Sequence, residues 1–360
     1  MKILFISRTE DYQSNVLFHG LKTLYGKDVY ECSDYWYMFN NISETEKRAL
    51  YGRGFTLFGL LPETLKNVLP TPILLQKIKT RYFDYIIYGS IWRNNHYFRL
   101  VKRIYPKEKI IFVDGEDATT INKFYLNKGV YFKRELEQNI PNVFPICFGI
   151  PQSKILEKVG EKTKRQAYIV PGELSTYIYD KEEPYYKDYA ESYFGITKKK
   201  GGWDCLRHYE IMANGCIPYF IDLEKCPQET MCLFPKQLIL ETNRLFEEQC
   251  CDTEQLMVKS QEVLNYTRKH LTTQSIATYM LNIAAQVDTI EGRHYNLEGL
   301  YLQVKRILRR KKMMWRLNFT KWCFANLSFL PPVAYFKNKN ATLKWMMDND
   351  LVVKNAKKYQ

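Results

Sequence analysis

FGITKKKGGWDCLRHYEIMANGCIPYF, the run from Phe194 to Phe220, holds a basic turn, a helix and a following buried strand in one pass. Thr197 to Gly202 (TKKKGG) offers Lys198, Lys199 and Lys200 as cations, with Gly201 and Gly202 where backbone can approach a ligand closely. Such a turn is an anion cradle suited to phosphate. Asp204 is placed to cap the helix that follows. At about 100° per residue, Cys205, Leu206, Tyr209, Met212 and Ala213 share one side of that helix, and Asp204, Arg207 and Glu210 the other. One face is expected to pack and the other to be free for binding. Asn214-Gly215 ends the helix, Gly215 serving as a left-handed cap, and Cys216 to Ile221 is a short strand interrupted only by Pro218.

The free face carries two handles for a nucleotide. Arg207 can grip phosphate oxygens with its planar fork, and Glu210, one turn later, can accept hydrogen bonds from the vicinal hydroxyls of a ribose. The same pair also reads as an ordinary surface Arg–Glu contact on a helix.

This run resembles the nucleotide-sugar-binding segment of bacterial glycosyltransferases of the GT-B fold, which have two facing Rossmann-like domains. Its order of aromatic strand, basic glycine-containing turn, Arg, Glu and Gly-x-x-Pro is also similar to the donor domain of exostosin-like transferases and of family-1-like enzymes of surface polysaccharide biosynthesis. The resemblance implies that Arg207 and the preceding turn meet a diphosphate and that Glu210 meets a ribose. Many retaining members carry a second glutamate two turns earlier, where this chain has Gly202-Trp203, so retention of configuration does not follow. YFKREL (131–136) and VFPICFGIP (143–151) look like the connection out of the first domain in the same group.

The chain has 360 residues, enough for two domains, with 46% hydrophobic and 26% charged residues, a globular balance. A net charge of +14 calls for an anionic partner: phosphorylated substrates, an anionic membrane or nucleic acid. The 28 tyrosines and 20 phenylalanines suit ligands with flat apolar faces, such as sugars and bases. Nine cysteines without a CxxC pair or a Cys/His cluster indicate neither a zinc site nor a disulfide framework, and fit a reducing compartment. The apolar start after Met1-Lys2 is too short for a signal peptide, so a cytoplasmic protein is expected.

The first half alternates strands and helices. Ile3 to Ser7 reads as a buried parallel strand, followed by a polar segment and a helix from about Val16 to Leu24 closed by Gly26. Loops after parallel strands line the ligand crevice, which makes Glu10, Asp11 and His19 candidates there and Asp11 and His19 candidate catalytic groups, although a helix histidine beside Phe18 and Leu21 is more often a packing or surface residue. Val29 to Cys32 and Tyr82 to Tyr88 are further strands, with Trp92, Arg93 and His96 beyond the latter. The aromatic stretch 34–70 is either an acceptor-side or membrane-facing insertion or a helical excursion with its apolar side buried. Lys109 to Val113 runs into Asp114-Gly115-Glu116-Asp117, where Glu116 and Asp117 are candidates for a general base or acceptor clamp, or simply an acidic turn.

A polar stretch near 151–164 reads as a linker. The expected organisation is an acceptor-side Rossmann-like domain over 1–152, a nucleotide-sugar donor domain over 153–290 whose sheet starts at Gln166 to Val170, and a basic aromatic helical extension over 291–360. Within the extension, 301–325 (YLQVKRILRRKKMMWRLNFTKWCFA) has eight basic residues and no acidic one, the composition of a helix lying on an anionic bilayer.

The function expected is transfer of a sugar from a nucleotide-diphosphate donor to a polysaccharide, oligosaccharide or lipid-linked acceptor at the inner membrane face. Lysines and arginine would neutralise the leaving group, so no metal or other cofactor is expected. A nucleotide-sugar epimerase would use the same nucleotide site without needing the tail. A non-enzymatic polyanion or nucleic-acid-binding protein would fit the charge, but the basic residues collect in one turn and one tail, and no specific nucleic acid is expected.

Overall fold

Ile3–Ile6 and Tyr85–Tyr88 are buried at every position, as strands covered on both faces must be. The computed structural model describes residues 1–7, 10–248 and 252–287. Strands β1 (Ile3–Ile6), β2 (Val29–Glu31), β3 (Tyr85–Tyr88), β4 (Ile110–Asp114), β5 (Val130–Lys133) and β6 (Val143–Pro145) form a six-stranded sheet in the order β2-β1-β3-β4-β5-β6. Every neighbouring pair is parallel. Strands β7 (Lys164–Gln166), β8 (Ser192–Lys198) and β9 (Ile217–Ile221) make a second, three-stranded parallel sheet in chain order.

Parallel strands need crossovers; helices supply most of them, while β4 to β5 and β5 to β6 are joined by turns and loops. The helices are α1 (Tyr12–Tyr25), α2 (Glu44–Ala49), α3 (Thr71–Lys79), α4 (Phe98–Ile104), α5 (Glu182–Ala190), α6 (Leu206–Ala213), α7 (Lys236–Glu247) and α8 (Thr253–His270), with a further helix over 273–287. In the first sheet the order reverses between β1 and β3, the switch point beside which open parallel sheets bind ligands.

Met1–Gln286 is one compact unit containing both sheets, and a second unit begins at Val287. The basic segment 301–325, with the rest of 291–360, lies outside the described residues. No helix among the described residues is long and apolar enough to cross a membrane.

Several elements depart from the sequence reading for local reasons. Helix α1 begins a turn earlier than Val16, with Asp11 as N-cap accepting from the Ser14 N–H at 2.8 Å. Its first turn is polar because Gln13 and Asn15 face a cavity rather than the core. Strand β7 begins at Lys164, not Gln166, and ends early because the Tyr168 N–H turns to the Asp188 carboxylate at 2.7 Å instead of a neighbouring strand. YFKREL and VFPICFGIP contain β5 and β6, which complete the first sheet. Stretch 34–70 forms short helices and turns whose Tyr35, Phe39, Phe58 and Leu61 are buried, with Tyr35 stacked on Phe18 of α1 at 4.5 Å.

Candidate active site

The loops that leave β1, β3, β4 and β8 at their C-terminal ends line one cavity of about 680 Å3. A cavity of about 380 Å3 adjoins it and shares Tyr12, Tyr51, Lys200, Cys205 and Leu206. Both volumes fall in the range of small-molecule sites.

The basic turn after β8 is held from beneath by β5. Apolar Val130-Tyr131-Phe132 is followed by Lys133, Arg134 and Glu135, all buried. Buried charges need partners, and each has them. Lys133 pairs with Asp114 at 2.9 Å, and the Tyr131 hydroxyl donates to the same carboxylate at 2.6 Å, so Asp114 braces its turn. Glu135 accepts from the Trp203 N–H at 3.0 Å and the Asp204 N–H at 2.9 Å. Arg134 donates to the carbonyls of Gly115 (2.9 Å) and Asp204 (2.6 Å), to Glu135 (2.9 Å) and to Asp117. A Cβ at Gly202 would stand 2.4 Å from Glu135 Oε1, so the turn closes only with glycine there.

His208, fully buried on α6, pins the turn from the other side. Its Nε2 lies 2.8 Å from the Trp203 carbonyl and its Nδ1 2.8 Å from the Thr197 hydroxyl. The carbonyl only accepts, so Nε2 carries the proton and Nδ1 accepts from Thr197. Burial pushes the imidazole pKa down to about 3, which keeps it neutral.

Asp204 does not cap α6. The N-cap is Cys205, with no side-chain bond, while the Asp204 carboxylate accepts from the Phe148 N–H at 2.7 Å and the Tyr209 hydroxyl at 2.8 Å. Burial raises its pKa to about 6. Asp204 therefore ties the turn to the segment after β6. The end of α6 without a side-chain cap meets both cavities at Cys205 and Leu206, and a helix N-terminus is positive.

Helix α6 has no free face. Arg207 is half-buried, but Glu210 is buried, and its carboxylate accepts from the Thr56 and Tyr185 hydroxyls. Burial raises the Glu210 pKa. The cover comes from 50–59, which reaches from the first half of the chain to α5 and α6, an arrangement that helical spacing does not reveal. Glu210 and Arg207 nonetheless line the smaller cavity together, with Tyr177, Tyr179, Tyr185 and Phe55 as aromatic walls. Of the three turn lysines only Lys200 lines the cavities; Lys199 sits over the Trp203 ring at 5.0 Å, and Lys198 extends to Gly172. Gly201 and Gly202 line the larger cavity.

The larger cavity gathers Asp11, Glu116 and Asp117 but not His19. His19 is buried on α1 with Nδ1 2.8 Å from the Thr273 hydroxyl, and burial pushes its pKa down to about 4, a packing position. Glu116 is paired with Arg93 at 3.0 Å, and Asp117 with Arg134. Asp11 is buried, with Arg93 more distant at 3.7 Å, and burial raises its pKa. Tyr12, Tyr51, Phe58 and Phe148 add an aromatic lining to the same cavity, the Tyr12 ring contacting the other three. Among the described residues, no group of three or more His, Cys, Asp or Glu side chains is arranged to hold a metal ion.

Arg134, Glu135 and Thr56 were not singled out from the sequence. For the first two the signal was present: three consecutive charges closing an apolar strand. For Thr56 there was none.

No family model matches the chain, and no curated protein matches it. Among solved structures, an alpha-glucosyltransferase in complex with UDP and a 13-mer DNA containing a HMU base aligns with a TM-score of 0.39 at 11% identity, over 79% of this chain and 98% of that one.

Proposed function

We propose that this protein is a glycosyltransferase that moves a sugar from a nucleotide-diphosphate donor to a hydroxyl of a glycan or lipid-linked saccharide. The observation that carries the reading is the pair of adjoining cavities. The smaller is cationic and aromatic around Arg207 and Lys200, and the larger is lined by both carboxylates and aromatic rings. In this reading the donor lobe is 153–290 and the acceptor lobe 1–152. Arg207, Lys200 and the positive end of α6 take the diphosphate, and Glu210 uses its remaining lone pairs for ribose hydroxyls.

Asp11 serves as the base. It lines the larger cavity, it is less tightly paired than Glu116 or Asp117, and burial strengthens it as a proton acceptor. The acceptor hydroxyl gives its proton to Asp11 as its oxygen bonds to the anomeric carbon. The bond from that carbon to the diphosphate breaks, and its electron pair leaves on phosphate oxygen, where the cations stabilise the developing charge. No metal is required for that step.

The test is calorimetric titration of the full chain with UDP, GDP, CDP and ADP, repeated on Arg207→Ala and Lys200→Ala. Selective binding of one nucleoside diphosphate, weakened in both variants, is expected. Absence of binding by a folded protein, or equal binding by the variants, would overturn the reading.

A further inference from the structure

The Tyr177 hydroxyl lies 3.2 Å from Lys200 Nζ and 3.2 Å from Arg207 Nη1. The same two cations also face its ring, at 5.4 and 5.1 Å. One neutral oxygen therefore accepts from an ammonium and a guanidinium at once, the arrangement those groups make with a phosphate oxygen. Burial opposes ionisation of this phenol, yet Arg207 and Lys200 hold its pKa below the ordinary tyrosine value.

The segment that carries Tyr177 is held largely by local bonds. Its polar bonds run mostly within itself: the Val170 N–H to the Thr176 hydroxyl at 3.1 Å, and that hydroxyl to the Glu173 carbonyl at 2.7 Å. Gly172, at φ +100°, begins it in a conformation that L side chains rarely adopt. Leu174 and Ile178 are 86% and 55% exposed, whereas Pro171 and Thr176 are buried and the Tyr177 ring packs against the cluster of Ala167, Ile169 and Tyr185, so displacing the tip costs chiefly that ring's contact.

We propose that the Tyr177 hydroxyl occupies the position of a donor diphosphate oxygen between Lys200 and Arg207, and that the diphosphate enters by displacing it, making 171–178 the gate of the donor site. This rests on the donor-site reading above. A charged oxygen makes bonds roughly twice as strong as a neutral phenol's with the same cations, so a diphosphate wins the exchange while a neutral ligand does not. The gate thereby selects for the diphosphate rather than for the base or the sugar.

The test compares binding of inorganic pyrophosphate, and of the nucleoside diphosphate that binds best, to the full-length parent, Tyr177→Phe and Arg207→Ala. Phenylalanine keeps the ring and removes only the competing oxygen, so Tyr177→Phe is expected to bind pyrophosphate about 3- to 10-fold tighter, and Arg207→Ala to lose binding. If Arg207→Ala loses binding but Tyr177→Phe binds equally or more weakly than the parent, the gate is overturned and the donor site stands. If neither probe binds the parent, or Arg207→Ala binds as well as the parent, both fall.

Discussion

The hydroxyl of Thr56 donates to the carboxylate of Glu210, joining two residues 154 positions apart. Thr56 is buried, at φ +71°, a conformation that a β-branched residue adopts only when its surroundings impose it. Its N–H donates to Glu182 at 2.6 Å, and its hydroxyl also lies 2.7 Å from that of Tyr186. Thr56→Val removes the hydroxyl and keeps the strain, so urea unfolding should show a loss of about 1–3 kcal/mol. Thr56→Gly loses the same bond but relaxes the backbone and should fall between Val and the parent. A Val variant as stable as the parent would mean that the contact contributes nothing.

His208 makes stability depend on pH in a defined direction. The unfolded chain binds its proton near the ordinary value of 6.5, and the folded chain not until about 3. The unfolded state therefore holds more protons between those values, and acid favours unfolding. The contribution is complete above 6.5 and lost progressively below it. The stability advantage of the parent over His208→Gln should shrink by about 2 kcal/mol between pH 7 and pH 5. An advantage that stays constant with pH contradicts a neutral buried His208.

The two glycines of the basic turn should respond differently to alanine. At Gly202 the added Cβ meets Glu135 Oε1 at 2.4 Å and Cδ at 2.7 Å, and Glu135 is buried with its oxygens engaged. At Gly201 it meets Asp117 Oδ2 at 2.3 Å, on a side chain that is 60% exposed. Gly202→Ala is expected to lower stability by about 1–3 kcal/mol, while Gly201→Ala costs less, because the exposed Asp117 can shift and Arg134 keeps its bonds to Gly115, Asp204 and Glu135. Thermal unfolding of the two variants side by side decides this.

Asp11→Asn separates a role in chemistry from one in folding. Asparagine caps a helix about as well as aspartate, so unfolding free energy should stay within about 0.5 kcal/mol of the parent. It cannot take a proton, and sugar transfer should fall by about 10²- to 10⁴-fold with donor binding retained. Retained transfer would move the base to Glu116 or Asp117.

Strands β1 to β4, β8 and β9 and the basic turn were legible because they depend on local pattern, largely apolar runs of strand length and glycine beside clustered lysine, whereas β5 and β6 looked like a connection and the polar β7 was expected two residues later. What surrounds the turn depends on pairs remote in sequence. Arg134 meets the Asp204 carbonyl 70 positions away, and nothing near Asp204 announces that its carboxylate takes the Phe148 N–H instead of capping the helix it precedes. Helical spacing placed Arg207 and Glu210 on one side of α6 but could not foresee that 50–59 would cover that side. His19 looked available beside a strand end, whereas its partner Thr273 belongs to a helix near the other end of the described chain.

That last contact bears on how the protein is made. Gly20 of α1 packs so closely on 273–287 that a Cβ there would stand 2.1 Å from the Thr273 carbonyl oxygen. His19 and Thr273 are 254 positions apart, so at about 5–20 residues per second a ribosome needs roughly 10–50 s to supply the cover after α1 emerges. During that interval the side of the nascent α1 that carries His19 and Gly20 lacks its cover.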